Sequence, residues 1–238
     1  MKIIPAIDII NGACVRLEKG DYSKQKTYNS DPVAVAKSFE EVGVKHLHVV
    51  DLDGAKAQQV VNLETLSAIC RATDLSVDFG GGVKTRDQVD LVLAAGASQV
   101  TGGSIAAKNK GEFKDWIDVY GTDKLILGAD VLDHQIMVSG WQEASSLHIY
   151  DFLEYYDELG IQYVICTDIS KDGMLAGPAF DLYEDLMRRF PSMQFIASGG
   201  VSCADDVKQL EVAGLYATII GKAIYEGNIT MDELAELC

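Results

Sequence analysis

Phe79-Gly80-Gly81-Gly82-Val83 is followed, half a chain later, by Ala197-Ser198-Gly199-Gly200-Val201. The two glycine runs are 118 positions apart, and a second glycine signal has the same spacing, from Gly103 to Gly221. Solenoid repeats have a period of roughly 20–50 residues, so this much longer repeat indicates two fused half-domains. The sequence therefore predicts a fold with internal two-fold character.

Short apolar runs rich in β-branched residues alternate with amphipathic segments along the chain. The predicted strands are 2–8, 46–51, 76–80, 98–102, 124–130, 162–168, 194–198 and 217–221. The predicted helices lie near 32–43, 62–73, 85–96, 109–120, 148–160, 180–190, 204–213 and 230–237. Strict alternation predicts a parallel α/β sheet, and the count of eight together with the repeat favours a closed (β/α)8 TIM barrel. We expect one domain over 1–238, with halves of roughly 1–120 and 121–238.

The charge and the cysteines restrict the class of function. A formal net charge of −16 argues against a nucleic-acid partner, because such binding depends on many cations that neutralise phosphates. An anionic ligand would need a local site of backbone N–H groups and a few cations. The five cysteines are scattered without a CxxC pair, as in a reducing cytoplasm. No apolar run has membrane length, and Asp8 comes too early for a signal peptide, so we expect a cytoplasmic protein without a membrane partner.

Glycine-rich turns follow the third, fourth, seventh and eighth predicted strands. They contain Gly81, Gly82, Gly103, Gly199, Gly200 and Gly221. Such turns let the backbone approach an anion, and the N–H groups at the start of the next helix point toward it. The loops after strands 7 and 8 are the usual phosphate position in this fold. We therefore expect a ligand with a phosphate at each end, although the turns after strands 3 and 4 could be a vestige of the repeat.

Two aspartates end equivalent strands of the two halves. Asp8 ends the first predicted strand and Asp130 the fifth, and these strands lie opposite each other in an eight-stranded barrel. Two carboxylates in unlike surroundings can act as an acid and a base on a ligand held between them. A strand-end aspartate can also simply cap the next turn. Thr167, at the end of the sixth strand, could bond near the same point or act only as a strand former.

Other polar residues in or near the loops are weaker candidates. His48 alternates with apolar neighbours and is either a satisfied structural histidine or a cavity residue. Arg16, Lys19 and Arg86 could clamp phosphate or remain solvated. Trp141, in the long fifth loop, could stack on a planar ring or pin the loop. No cluster of histidine, cysteine and carboxylate has metal spacing, so we expect no metal.

The chain resembles the ProFAR isomerase family of histidine biosynthesis, ProFAR being phosphoribosylformimino-5-aminoimidazole carboxamide ribotide. The matching segments span the whole chain in order. They are Ile4 to Asp8, Val15 to Leu17, Lys19 to Tyr22, His48 to Ala55, Phe79 to Val83, Gly103-Ser104, Val138 to Trp141, Cys166 to Gly173, Gly177-Pro178, Ser198 to Val201 and Gly221 to Ala223.

The resemblance implies an Amadori rearrangement of an aminoaldose to an aminoketose without a cofactor. It implies that Asp130 is the general acid that opens the ribose ring and that Asp8 is the base that moves the C2′ proton, with Thr167 assisting. The implied substrate contacts are Arg16, His48, Gly81, Gly82, Gly103, Ser104, Trp141, Asp172, Gly173, Gly177, Gly199, Gly200, Gly221 and Lys222. We expect a monomer whose partner is a small bisphosphate substrate.

Three positions depart from the pattern of that family. Lys84 takes the place of an arginine, and lysine cannot reproduce a bidentate guanidinium contact. Gly102 takes the place of a bulky aliphatic residue and is expected to loosen the end of the fourth strand. Asp78 takes a position that is often neutral and adds a carboxylate to the barrel interior.

Three alternatives remain open from the sequence. The cyclase barrel of imidazole glycerol phosphate synthase shares the duplicated turns and opposed aspartates, although the segments around Arg16 and Trp141 fit the isomerase better. A dual-substrate isomerase would also convert phosphoribosylanthranilate by the same reaction. A non-catalytic barrel that binds sugar phosphates belongs to another class, and the two intact aspartates argue against it.

Overall fold

The computed structural model describes residues 1–18 and 20–238 and contains a closed parallel barrel. The strands are β1 (Lys2–Ile10), β2 (Ala13–Glu18), β3 (Asp21–Asn29), β4 (His46–Asp51), β5 (Ser76–Gly80), β6 (Gln99–Gly102), β7 (Leu125–Leu132), β8 (Gln135–Val138), β9 (Glu143–His148), β10 (Tyr163–Asp168), β11 (Gln194–Ser198) and β12 (Ala217–Ile220). Parallel pairing runs β1-β4-β5-β6-β7-β10-β11-β12 and returns to β1. The predicted (β/α)8 TIM barrel is confirmed.

Helices follow the barrel strands as predicted, and three short ones were not predicted. The helices are α1 (Pro32–Glu41), α2 (Leu52–Ala57), α3 (Leu63–Ala72), α4 (Arg86–Ala94), α5 (Ser104–Lys108), α6 (Lys110–Tyr120), α7 (Ile149–Glu158), α8 (Phe180–Arg189), α9 (Ala204–Ala213), α10 (Lys222–Tyr225) and α11 (Met231–Leu237). The short additions are α2, α5 and α10, which begin directly after barrel strands. They therefore start at the rim where ligands bind in this fold.

The alternation of side chains divides the apolar residues between two regions. On β4, Leu47 and Val49 are fully buried and belong to the main core beneath the helices. A smaller cluster fills the inside of the barrel and consists of Ile4, Ala6, Ile126, Ile165, Ile196, Ala217 and Ile219. Because this cluster packs the interior, the free volume lies above it, at the carboxyl ends of the strands.

Two of the predicted loops are largely β-hairpins. Strands β2 and β3 pair antiparallel and extend from β1, while β8 and β9 do the same beyond β7. The predicted loops 9–30 and 131–147 contain these strands. The hairpins escaped prediction because β3, with the sequence DYSKQKTYN, is mostly exposed and polar and has no apolar alternation.

The first glycine of each repeated pair packs against the preceding strand end. Gly81 has a φ of 96° and Gly199 a φ of 90°. A Cβ at Gly81 would lie 2.2 Å from the carbonyl oxygen of Asp51, and one at Gly199 would lie 3.1 Å from that of Asp168. The left-handed backbone and this close approach both favour glycine, so the repeat is visible in matching contacts.

The second glycine of each pair packs against the preceding βα loop. Gly82 and Gly200 have φ values of 83° and 89°. A Cβ would lie 2.4 Å from the carbonyl oxygen of Gln59 in the first case and 2.3 Å from that of Gly177 in the second. Glycine is thus required here by neighbouring backbone, in addition to any role toward an anion.

The division into halves near residue 120 stays a prediction.

The cysteines and the lengths of the helices bear on two further expectations from the sequence. All five cysteines are free, with Cys14 and Cys166 buried and Cys203 and Cys238 exposed. Among the described helices, none combines the length and the apolar character that a bilayer crossing requires.

Candidate active site

A cavity of about 730 Å³ opens at the carboxyl ends of the barrel strands. The predicted site residues on its wall are Asp8, Arg16, His48, Gly81, Gly82, Gly103, Ser104, Asp130, Trp141, Thr167, Asp172, Gly173, Gly199, Gly200, Gly221 and Lys222. These residues come from both halves of the sequence, and the barrel brings them around one volume. A pocket of this size and mixed polarity is typical of a small-molecule site.

Two predicted contacts, Gly177 and Arg86, lie off the cavity wall. Gly177 lies behind Gly200, to whose carbonyl its N–H donates at 3.0 Å, so it supports the wall without facing the cavity. Arg86 is an exposed residue at the start of α4, and Lys84 occupies the cavity wall in its stead. Lys19 lies outside the described residues.

Asp8 lies near the end of β1 beside a cation from the first hairpin. Arg16 Nη1 is 2.9 Å from Asp8 Oδ2, and both side chains are largely buried. Burial raises the pKa of Asp8 above its ordinary value, and the Asp172 carboxylate adds to the rise. The charges of Arg16 and His48 oppose that rise without cancelling it. Asp8 is therefore a buried carboxyl group whose charged form is stabilised mainly by one guanidinium.

Asp130 lies in the equivalent part of β7 and has different partners. Thr167 is its register partner on β10, whereas the register partner of Asp8 on β4 is Val50. Burial raises the pKa of Asp130, while hydrogen bonds from the Trp141 and Thr167 side chains lower it in part. The two strand-tip aspartates thus face the same cavity with unlike neighbours, one an arginine and the other two neutral donors.

The strained turn of the second hairpin brings Trp141 to Asp130. Ser139, Gly140 and Trp141 have φ values of 58°, 64° and 69°, so three successive residues are left-handed. Left-handed backbone is unfavourable for residues other than glycine and is retained where surrounding contacts fix it. Here the contacts are the indole bond to Asp130 and the 2.9 Å bond from the Ser139 N–H to Ser104 Oγ.

The Arg16 guanidinium is fixed by a second acid and by a glycine. Its Nη2 is 3.6 Å from Asp172 Oδ1, in addition to the contact with Asp8. A Cβ at Gly221 would lie 2.7 Å from Arg16 Cζ. Gly221 precedes α10, and Lys222 Nζ donates to the Gly173 carbonyl at 2.8 Å. This end of the cavity therefore has two cations beside a glycine turn.

The opposite end of the cavity has two lysines that are not among the predicted site residues, Lys84, which the sequence marked only as a departure from the family pattern, and Lys108, which it did not mark. Lys84 and Lys108 line the cavity near Gly103 and Ser104, which begin α5. Burial and the nearby Lys108 charge lower the pKa of Lys84. Lys108 Nζ contacts Glu143 at 2.6 Å and Ser139 Oγ at 2.9 Å. Lys108 comes four residues after Ser104, so the two side chains share one face if a helix begins at Ser104. The sequence could have indicated Lys108 only if this short helix had been predicted.

The structure corrects the expectation for Gly102. A Cβ at Gly102 would lie 2.3 Å from Cε2 of Phe113, which is fully buried in α6. The end of β6 is not loosened, because Phe113 fills the space of the missing side chain and Gly102 still pairs with Leu127. Asp78, the other unusual residue of this region, does place a carboxylate inside the barrel, where it contacts His48.

Carboxylates elsewhere at the strand ends have structural partners. Asp51 is fully buried and accepts bonds from the N–H groups of Gly54, Val61 and Asn62. It therefore caps α2 and fixes the loop that packs on the glycine pair. Within residues 1–18 and 20–238, no group of three or more histidine, cysteine or acidic side chains is arranged to hold a metal ion.

The fold and this arrangement agree with comparisons to known proteins. Residues 2–230 match the family model described as histidine biosynthesis protein. The chain belongs to this family. A Flavobacterium johnsoniae protein named 1-(5-phosphoribosyl)-5-((5-phosphoribosylamino)methylideneamino) imidazole-4-carboxamide isomerase is 53% identical over 234 residues, covering 98% of both chains.

Other histidine biosynthesis proteins carry the same name. The Bacteroides thetaiotaomicron protein is 53% identical over 234 residues, with 98% of each chain covered. The Cytophaga hutchinsonii protein is 50% identical over 236 residues, covering 99% of this chain and 98% of its own. The likeness therefore includes both hairpins and every barrel strand, and it identifies this histidine biosynthesis protein as similar to isomerases over almost its full length.

Proposed function

We propose that the protein is the isomerase of histidine biosynthesis that converts ProFAR, an aminoaldose, to the aminoketose PRFAR by an Amadori rearrangement. The observation that carries this proposal is the full-length likeness to isomerases of that name. The cavity supports it, since it combines two buried aspartates with cations and glycine turns at both ends.

The two phosphates of the substrate would lie at opposite ends of the cavity. One end offers the turns at Gly199, Gly200 and Gly221 with Lys222, and the other offers Gly81, Gly82, Gly103 and Ser104 with Lys84 and Lys108. Backbone N–H groups and a few lysines provide the local positive potential that a chain of net charge −16 needs in order to bind an anion.

Asp130 and Asp8 would transfer the protons of the rearrangement. Asp130 donates a proton to the ribose ring oxygen, the C1′–O bond breaks, and a protonated Schiff base forms at C1′. Asp8 then removes the C2′ proton to give an enaminol. Asp8 then returns that proton to C1′ while the O2′ hydroxyl gives its proton back to the Asp130 carboxylate, which yields the aminoketose and restores both side chains, so atoms balance without an external oxidant or reductant. No step requires a cofactor or a metal.

The surroundings of the two aspartates support this order of roles. Arg16 gives Asp8 a cationic partner, which favours the ionised form that a base needs. The partners of Asp130 are the neutral side chains of Thr167 and Trp141, while burial raises the pKa of Asp130 and favours the protonated form that an acid needs. Trp141 also lies where it can cover the substrate.

We also propose that the enzyme acts as a monomer in the cytoplasm on a free small-molecule substrate. The acidic composition and the free thiols support that environment. Light scattering of the purified protein, with and without substrate, would test the oligomeric state.

Turnover of ProFAR by the purified protein tests the proposed reaction. Absorbance would follow conversion, and the downstream cyclase would trap the product. Asp8→Asn and Asp130→Asn should each lower kcat by about 10²- to 10⁴-fold with folding retained. Asp168→Asn is the matched control, because Asp168 also ends a strand but bonds to Ser170 and lies off the cavity wall. Its kcat should stay within a few-fold of wild type.

The same preparation should be tested with phosphoribosylanthranilate. Turnover of ProFAR alone supports the single-substrate isomerase, whereas turnover of both substrates would establish the dual-substrate enzyme. A folded protein that turns over neither would contradict the proposal and favour the cyclase or the non-catalytic barrel.

A further inference from the structure

Asp78 and His48 form a largely buried pair inside the barrel, in which His48 lines the cavity and Asp78 lies off its wall. They are register partners on the adjacent strands β5 and β4. The exposed fraction of the side chain is 12% for His48 and 8% for Asp78. The resemblance to the family assigns no role to Asp78, and neither proposed proton transfer uses it.

Hydrogen bonds fix the orientation of this pair. His48 Nδ1 is 2.5 Å from Asp78 Oδ1, and Thr101 Oγ1 donates to the same oxygen at 2.9 Å. An ionised carboxylate can only accept, so Nδ1 is the nitrogen that carries the proton. The other ring nitrogen, Nε2, is then left for the cavity that His48 lines.

Three carboxylates from three strands act on His48. Burial lowers the pKa of His48, but Asp78 on β5, Asp8 on β1 and Asp130 on β7 outweigh burial, and the net direction is upward. His46, two residues earlier on the same face, has its pKa lowered by burial and by Lys2. The two histidines differ because only His48 has a bonded acid.

We propose that Asp78 is a positioning residue that keeps His48 protonated at Nδ1 and presents its Nε2–H to the substrate as a cationic donor near Asp8 and Asp130. This inference deepens the proposed isomerase function and rests on it for the identity of the substrate. It gives His48 a defined charge and ring orientation, and both are set by Asp78, which does not line the cavity.

Through His48, Asp78 would act on the two proposed proton-transfer residues. The charge of His48 lowers the pKa of Asp8 and of Asp130, against the rise that burial causes, while Arg16 and Asp172 act on Asp8 as well. Without the charge of Asp78, His48 would lose its proton at a lower pH. Asp8 and Asp130 would then lose a neighbouring cation, and the pKa of each would rise further.

Nuclear magnetic resonance of the ring nitrogens of His48 tests the proposal without any turnover. The chain has only four histidines, and His48→Gln identifies the His48 signal by its disappearance. We expect a titration midpoint above the ordinary value of about 6.5, with the proton of the neutral ring on Nδ1. A midpoint at or below the ordinary value, or a neutral ring that carries its proton on Nε2, would overturn the proposal even if the isomerase activity is confirmed.

The variant Asp78→Asn tests the link to catalysis. The His48 midpoint should fall, the acidic limb of the pH profile of kcat/KM should move to higher pH, and kcat/KM should drop about tenfold near pH 6. Asp118→Asn removes one exposed carboxylate and controls for net charge. A loss that is uniform at every pH, with an unchanged His48 midpoint, would mean that Asp78 is merely structural.

A double variant asks whether Asp78 acts through His48. In a His48→Gln background, Asp78→Asn should change kcat/KM by less than about two-fold, because the group that it positions is gone. Equal losses in both backgrounds would contradict the proposal. If Asp78→Asn does not fold, the titration of His48 in the wild-type protein decides the question alone.

Discussion

The guanidinium of Arg16 rests on the backbone of Gly221, where a Cβ would lie 2.7 Å from Arg16 Cζ. The same guanidinium contacts Asp8 at 2.9 Å. Gly103 is the equivalent glycine of the other half and has similar angles, φ −100° and ψ −87° against −111° and −95° at Gly221. A Cβ at Gly103 would meet nothing closer than 3.8 Å. Gly221 is thus connected to Asp8 through Arg16, whereas Gly103 makes no equivalent contact.

Gly221→Ala should move Arg16 away from Asp8. Because Arg16 lowers the pKa of Asp8, its displacement should raise that pKa and shift the acidic limb of the kcat/KM profile to higher pH. We expect KM to rise by about tenfold as well, since the alanine methyl would narrow the end of the cavity that is proposed to hold one phosphate. The measurement is kcat and KM from pH 5 to pH 9.

Gly103→Ala is the matched control for that prediction. Its methyl group has room, and no atom of Arg16 lies within 4 Å of it, so the acidic limb should stay in place whatever happens to KM. Identical shifts of the acidic limb in the two variants would show that Gly221 does not act through Arg16.

Arg16→Gln should move the acidic limb without the steric change. Removal of the cation leaves burial and Asp172 to raise the pKa of Asp8, so the base stays protonated to a higher pH. The basic limb should change little, because Thr167, Trp141 and burial dominate at Asp130. An acidic limb at the wild-type position in Arg16→Gln would refute the coupling between these two residues.

Thr167→Val should have the complementary effect. It keeps the shape of the side chain but removes a hydrogen bond that lowers the pKa of Asp130. The pKa of Asp130 should therefore rise, the acid should stay protonated to a higher pH, and the basic limb should move upward. If instead both limbs shift together, the roles of the two aspartates are not separate as proposed.

Asp130→Asn should stabilise the protein at neutral pH while it impairs turnover. The pKa of folded Asp130 is raised, so its contribution to stability is complete below its ordinary pKa of 3.8 and is lost as pH rises through the folded value. Above that value the wild-type protein buries a charge that the amide avoids. We expect the free energy of unfolding to increase by about 1 kcal/mol at pH 8.

Urea unfolding at pH 8 and pH 4.5 would measure this difference. The gain from Asp130→Asn should shrink at the lower pH, and Asp118→Asn, which removes an exposed carboxylate, should show no such pattern. A variant that is less stable than wild type at pH 8 would show that the bonds to Thr167 and Trp141 outweigh the cost of burying the charge.

Gly102→Ala should destabilise the protein through Phe113. The methyl group would clash with a ring that lies 5.5 Å from Trp116 and 5.4 Å from Tyr156, centroid to centroid, and is therefore held on several sides. Overpacking of this kind costs about 1–3 kcal/mol. Urea unfolding would measure the loss, and Phe113→Leu in the same chain should recover part of it. Strictly additive effects would argue against a direct clash.

The barrel could be predicted because its strands and helices are strongly periodic and the repeat fixes their number. The hairpin β2–β3 could not be predicted, because polar and exposed residues such as those of β3 leave no periodic signal. The short helix α5 was missed for another reason, since its five residues are too few to show the period of a helix.

At the site, residues at strand tips could be predicted from their position alone. Asp8, Asp130 and Gly221 follow from the rule that ligands bind at the carboxyl ends of barrel strands. Side-chain contacts between segments that are distant in the sequence could not be predicted. The approach of Arg16 to Gly221 and the bond from Asp78 to His48 both join segments whose geometry appears only once the barrel has closed.

The unlike register partners of the two aspartates give the barrel a direction. A molecule with a phosphate at each end could bind to a perfectly two-fold barrel in either orientation, because the two phosphate sites would be identical. Val50 beside Asp8 and Thr167 beside Asp130 remove that equivalence. In the reverse orientation the ribose ring oxygen would face Asp8, the proposed base, and the C2′ proton would face Asp130, the proposed acid. Such a complex would not react, so under the proposed function the different neighbours of Asp8 and Asp130 would let the cavity distinguish the two ends of its ligand.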